Sequence, residues 1–343
     1  LGEDEVAYYP AWETLPHERL SPRSDTVGRR LAVLRRVVGN DELPPPKVVV
    51  APVRSVLQPQ VRGLADLLPV RIAAGADYDI EQLARDLVGA AYVRVDLVER
   101  RGEFCVRGGL VDVFPPTLEH PVRVDFFGDS VEEIRPFAVA DQRSFGDQLP
   151  EIVASPCREL LITEEVRTRA AALAPTYANE PGNLGELFER IAAGHAVDGM
   201  EALAPALVDG LELLVDVLPA NTQVLVSDPE RVRTRAHELV STSEEFLAAS
   251  WAAAAEGGRA PIDLAAAAYR GLGDVRAHAL ERGQAWWSLS PFAAAPTEAP
   301  RARFDEDEDD EGDRAVHAET GIPSRTVDAA EAPVWRADTD AAI

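Results

Sequence analysis

The sequence predicts a multidomain chain of mixed class, α/β and then α+β, and three observations carry that prediction. A strand, a helix and a second strand follow one another within residues 6–53. Five short strand patterns joined by Gly and Pro turns crowd into residues 92–137. Helical patterns then return, and from Pro291 onward the composition is mainly alanine, proline and acid. These shifts place a partial parallel α/β layer over 1–75 and a small antiparallel module over 76–145. The remainder of the first domain with a mixed third domain takes 146–290, and a disordered acidic tail takes 291–343.

Val6 to Tyr9 reads as a short buried strand that stops at Pro10. Ser24 and Asp25 are N-cap candidates for a helix over 26–38, with Val27, Leu31, Leu34 and Val38 as its apolar stripe and Gly39 as its end. "KVVVAPV" (47–53) is a continuous β-branched run, as in a strand covered on both faces. Asp79 caps a helix over 80–89, with Ile80, Leu83, Leu87 and Val88 apolar. Strands are expected over 92–98, 103–107, 110–114, 121–127 and 131–137. Arg101-Gly102, Gly108-Gly109, Pro115-Pro116 and Gly128-Asp129 supply the turns of a meander. Helices follow over 164–174 behind Thr163 and over 184–193 behind Asn183, the latter with Leu184, Leu187, Phe188 and Ile191 on one face. Two short strands flank Pro219-Ala220-Asn221, Pro229 opens a long helix over 229–256, and shorter helices are expected over 262–271 and 274–282.

Composition excludes several function classes. The net charge is −25, and it is uneven: residues 1–150 hold 24 acidic and 18 basic side chains, the remainder 35 and 16. Nonspecific nucleic-acid binding needs a basic footprint that this chain lacks, whereas a basic protein surface would suit it. Asp305 to Glu311 is an unbroken acidic run, read as a solvated linker. No apolar run is long enough to cross a membrane, and the acidic start is not a signal peptide. The chain also begins without Met, as a fragment does. Cys105 and Cys157 support neither a disulfide framework nor a metal site, and no two of the six histidines have ligand spacing. A reducing cytoplasm is the expected setting. Lys47 is the only lysine, and it has no glycine cradle, so no phosphate-binding loop for ATP is present. Gly108-Gly109 is a strand connection rather than a dinucleotide fingerprint.

"PVRVDFF" (121–127) is the informative stretch. Phe126 and Phe127 are adjacent, so on a strand they face opposite ways. Alternation sends Val122, Val124 and Phe126 to the core and leaves Arg123, Asp125 and Phe127 on the other face. An aromatic beside charged groups is the composition of a binding surface. On 103–107, Phe104 and Val106 share one face, leaving Cys105 and Arg107 on the other. If these two strands are neighbours, Arg107 and Arg123 flank Phe127. The competing reading has Phe127 packed under a second domain of this chain and the arginines bound to local carboxylates. Val131 and Ile134 are three apart, which calls for a bulge or a longer loop in the last strand.

"VRGGLVDVFPP…HPVRVDFFGDSVEEIRPF…DQRS" resembles the module shared by the excision-repair protein UvrB and the bacterial transcription-repair coupling factor Mfd. "AWETLPHERLSPRSDTVGRRLAVLRR" is similar to the first domain of the Mfd family, and "VDGMEALAPALVDGLELLVDVLPANTQVLVSDPERV" to its third. The resemblance runs from about residue 6 to 290 and favours Mfd over UvrB. It implies that 76–145 is a UvrA-interaction module. By motif position it carries the family's UvrA contacts onto Arg107, Arg123 and Phe127. It implies an adaptor that recruits UvrA to stalled RNA polymerase. Polymerase, DNA and ATP belong to family regions outside these residues. The alternative is a fragment of an ATP-dependent DNA translocase whose motor lies outside the chain, and a third reading is a scaffold with no partner.

Overall fold

The computed structural model describes residues 2–15, 20–178, 184–255 and 267–290. The expected tail over 291–343 lies outside the described residues, as does the first half of the helix expected over 262–271; the second half, 267–271, is described and is not α-helical.

In chain order the elements are β1 (Val6–Tyr8), α1 (Ser24–Val38), β2 (Val48–Val50), α2 (Val53–Leu57), β3 (Gln60–Val61), β4 (Val70–Ala73) and α3 (Ile80–Gly89). Then come β5 (Val93–Arg94), β6 (Glu103–Arg107), β7 (Leu110–Val113), β8 (Val122–Phe127), β9 (Ser130–Pro136) and β10 (Glu151–Ala154). The remainder is α4 (Glu164–Tyr177), α5 (Leu184–Ala192), α6 (Ala204–Leu207), β11 (Leu211–Glu212), α7 (Leu214–Val217), β12 (Gln223–Ser227), α8 (Pro229–Ala255), α9 (Leu272–Glu281) and β13 (Ala285–Leu289). The architecture is therefore mixed α/β, with several separate sheets.

The first layer pairs β1 with β2 in parallel. It is not covered on both faces, as the β-branched run suggested. Ala7 is buried, while Val6, Tyr8, Val48 and Val50 on the opposite face are exposed. α1 packs beneath it through Val27, Leu31 and Leu34, but Val38 is exposed and the stripe widens to Val33 and Arg30. Ser24 and Asp25 do not cap this helix. Its N-cap is Arg23, which makes no side-chain cap bond. The Ser24 hydroxyl donates instead to the Arg101 carbonyl at 3.1 Å, and Asp25 pairs with Arg23 and Arg29. Gly39 ends the helix at φ 79°, the left-handed conformation that glycine adopts without strain. Lys47 is engaged by the Glu5 carboxylate.

The meander is one five-stranded sheet in the order β5-β6-β7-β8-β9. It is antiparallel except that β5 runs parallel to β6. Phe104, Val111, Val113, Val122, Val124, Val131 and Ile134 form its core face, covered by Leu83 and Leu87 of α3. As expected, the Asp79 carboxylate caps α3, accepting from the Gln82 N–H at 2.6 Å. Ile72 and Ile152 join the same core, because β4 and β10, on either side of the residues 76–145 expected for this module, pair antiparallel across it. The sequence reading assigned no strand to 151–154. The opposite sheet face has a smaller apolar cluster of Val98, Cys105, Phe114 and Phe137.

Sequence and structure differ at three further places. The first of two strands expected around Pro219 is only Leu211–Glu212. The Asp216 carboxylate accepts from the Leu213 N–H at 2.7 Å and winds the following residues into α7. β13, rich in tryptophan, was missed because its parallel partner β12 lies far upstream, Gln223 pairing with Ala285 and Ser227 with Leu289, beyond any local pattern. α4 extends to Tyr177 with Pro175 inside it, three residues beyond the expected end.

The layers are joined by a buried polar hub. Arg30 of α1 is wholly buried and paired with Glu159, itself buried just after the sheet module. The Trp12 indole N–H donates to Glu159 at 3.0 Å. Arg30 also donates to the Pro10 carbonyl at 2.9 Å and to Gln60 at 3.2 Å, while its guanidinium lies 4.3 Å from the Tyr9 ring centroid. Replacing Arg30 by Met leaves Glu159 buried without its counter-charge and is expected to cost about 3–5 kcal/mol. Adding Glu159→Leu should recover part of that loss. Denaturant unfolding of the full chain measures both, and a single change costing under about 1 kcal/mol would refute the hub.

Burial pushes the Cys157 thiol up to about 12 and raises that of Cys105 as well. Both cysteines are buried and free. A thiol reagent at about pH 8, close to the ordinary thiol pKa, should label neither in the native chain and both after denaturation. Prompt native labelling would show that one of these sites opens.

Candidate protein-binding face

Register places the non-core face of the sheet in rows. Cys105, Asp112, Arg123 and Arg135 are opposite one another across β6 to β9. Arg107, Leu110, Asp125 and Glu133 form the next row. Phe127 and Ser130 close the end of the β8–β9 hairpin. The alternation read from the sequence is observed: Phe126 packs against the core, and Phe127 is 76% exposed. It therefore does not pack under another part of the described chain.

The arginines are bound to a local carboxylate, as the competing reading held. β6 and β8 are not neighbours, because β7 lies between them and contributes Asp112. Asp112 Oδ1 accepts from Arg123 Nε at 2.7 Å and Oδ2 from Arg123 Nη2 at 2.9 Å. Arg107 reaches the same carboxylate diagonally through its Nη2. Arg123 is held further by the Gln142 carbonyl at 3.1 Å, with its guanidinium 4.9 Å from the Phe137 ring centroid. The hydrogen bond to Asp112 raises the pKa of Arg123 above its ordinary value. Burial, and then Glu133, push the Asp125 carboxyl up. Glu133 in turn engages Arg135.

Sequence reasoning missed Asp112. The available signal was a lone charge inside the apolar run Leu110 to Phe114, on the face shared with Arg107.

Local chemistry fixes the hairpin ends. Gly108 and Gly128 adopt φ 62° in two-residue turns. A Cβ on Gly109 would come within 2.9 Å of the Phe126 carbonyl oxygen, and the Phe126 N–H donates to the Gly109 carbonyl at 2.8 Å. Glu132 is the bulged residue: Asp125 pairs with Glu133 but Phe126 with Val131. The bulge lets Val131 and Ile134, three apart, both face inward. Behind the tip, residues 75–78 hold β9 and its turn through Gly75 N–H to Val131 O at 2.7 Å and Tyr78 N–H to Asp129 O at 2.6 Å. Phe127 is thus an exposed aromatic on a braced hairpin, beside a mixed-charge face. Such an arrangement suits docking of another macromolecule.

Residues 70–159 match the family described as the UvrB interaction domain. The sequence aligns with transcription-repair-coupling factors over most of its length. That of Mycobacterium tuberculosis is 49% identical over 305 residues, 84% of this chain and 25% of the relative. That of Myxococcus xanthus is 38% identical over 235 residues, 65% and 19% respectively. That of Bacillus subtilis is 30% identical over 262 residues, 72% and 22%. The chain spans about a quarter or less of the length of these relatives.

The two adjacent phenylalanines should separate cleanly. Phe126→Ala removes a side chain packed on the core and is expected to cost about 2–4 kcal/mol, somewhat less than a fully buried phenylalanine. Phe127→Ala should stay within about 0.5 kcal/mol of the parent. Unfolding curves decide it, and the reverse ranking would mean the register is off by one residue.

Proposed function

We propose that this chain is the part of a transcription-repair coupling factor that recruits UvrA of nucleotide excision repair, and that it does so through the Arg107, Arg123 and Phe127 face. The observation that carries the reading is Phe127, 76% exposed on a braced hairpin within the residues that match the UvrB interaction domain. An exposed, rigid aromatic at one end of a sheet face that also carries two arginines fits an anchor with orienting charges. RNA polymerase and DNA enter this reading only through segments beyond this chain, as does ATP. The setting proposed is the cytoplasm.

The test is the affinity of the purified full chain for UvrA. Phe127→Ala should weaken binding by about 2 kcal/mol, roughly thirtyfold, with the fold unchanged. Arg107→Glu and Arg123→Glu should weaken it too, more at low salt than at high salt if the patch they meet is acidic. Unchanged affinity in all three variants would overturn the proposal.

A further inference from the structure

We propose that Asp112 is a positioning residue for partner docking: its buried carboxylate holds Arg107 and Arg123 in their binding geometry before a partner arrives. The inference rests on the docking reading above and deepens it.

The exposures point this way. The Asp112 side chain is 1% exposed, that of Arg123 17% and that of Arg107 44%. The acid is sunk into the sheet and the cations emerge from it in order. A carboxylate buried this deeply cannot release both guanidinia, because alone it would lack any compensation for lost water. Asp125 and Glu133 share the Arg107 row, so the face is mixed in charge and Arg107 is its half-exposed cation next to the buried acid. Among the described residues, Arg107 has only Asp112 as a side-chain hydrogen-bond partner, through Nη2. Its Nε and Nη1 edges remain for a ligand. The group that fits those edges is an acidic side chain, carried on a surface with an apolar slot for the Phe127 ring. Arg123 is tethered on three sides, by Asp112, the Gln142 carbonyl and the Phe137 ring, so it serves as the fixed member of the pair. An arginine ordered in advance loses less freedom on binding, which strengthens association without adding a contact.

A double-mutant cycle with the full chain and UvrA tests this. D112N preserves shape and removes the charge. It should weaken UvrA binding on the order of tenfold in the parent and leave it nearly unchanged when Arg107 and Arg123 are both Ala. Equal losses in both backgrounds would overturn the inference and assign Asp112 a merely structural role. The Arg107→Ala and Arg123→Ala change alone tests the docking reading separately, since it must weaken binding whatever Asp112 does. Side-chain nitrogen relaxation in the free parent chain supplies a second readout that needs no variant. Arg107 and Arg123 should be more ordered than the exposed Arg143. If they move as freely as Arg143, the inference fails even should D112N not fold.

Discussion

The pairing of Arg30 with Glu159 is the constraint on which the arrangement of layers depends. It crosses 129 residues of sequence, joining α1 to the segment that leaves the sheet module. Both side chains are buried, so neither can exchange its partner for water. A buried ion pair adds little net stability over a well-packed apolar pair, but leaving one member alone is costly. The hub therefore fixes where the sheet module lies against the first layer. Nearby packing agrees with it. A Cβ on Gly28 of α1 would come within 2.7 Å of Pro116, so the helix and the turn between β7 and β8 are in close contact.

Within the module, the main apolar core and the exposed charged groups lie on opposite faces of one sheet. Valines, Phe104 and Ile134 seal the face under α3, while the other face carries charge and Phe127. The separation follows from the two-residue period of a strand. The bulge at Glu132 is the one place where that period breaks, and it restores inward facing for Val131.

A single buried acid gathers the arginines of the exposed sheet face in the same way that Glu159 organises the layers. In both cases a carboxylate from one strand or segment gathers arginine from elsewhere, and burial makes the gathering obligatory. Asp112 differs in that its arginines reach solvent. A structural motif of the interior has thus been placed where its cations can meet another molecule.

By itself the sequence determined the meander, its glycine turns, the facing of Phe126 and Phe127, the cap at Asp79 and the need for a bulge near Val131. These depend on residues within a turn or a strand of one another, where alternation and turn chemistry act directly. It also singled out the candidate residues Arg107, Arg123 and Phe127, all three by facing and by motif resemblance. Only the tertiary structure decided that β7 lies between the two arginines, that Asp112 binds both, that β4 pairs with β10, and that β12 finds β13. It likewise decided that Ser24 serves a distant carbonyl and not its own helix. Each of these is a choice among partners far apart in the chain. A strand pattern states which way a side chain faces, but the hydrogen-bonding edge it meets is chosen by the packing of the whole.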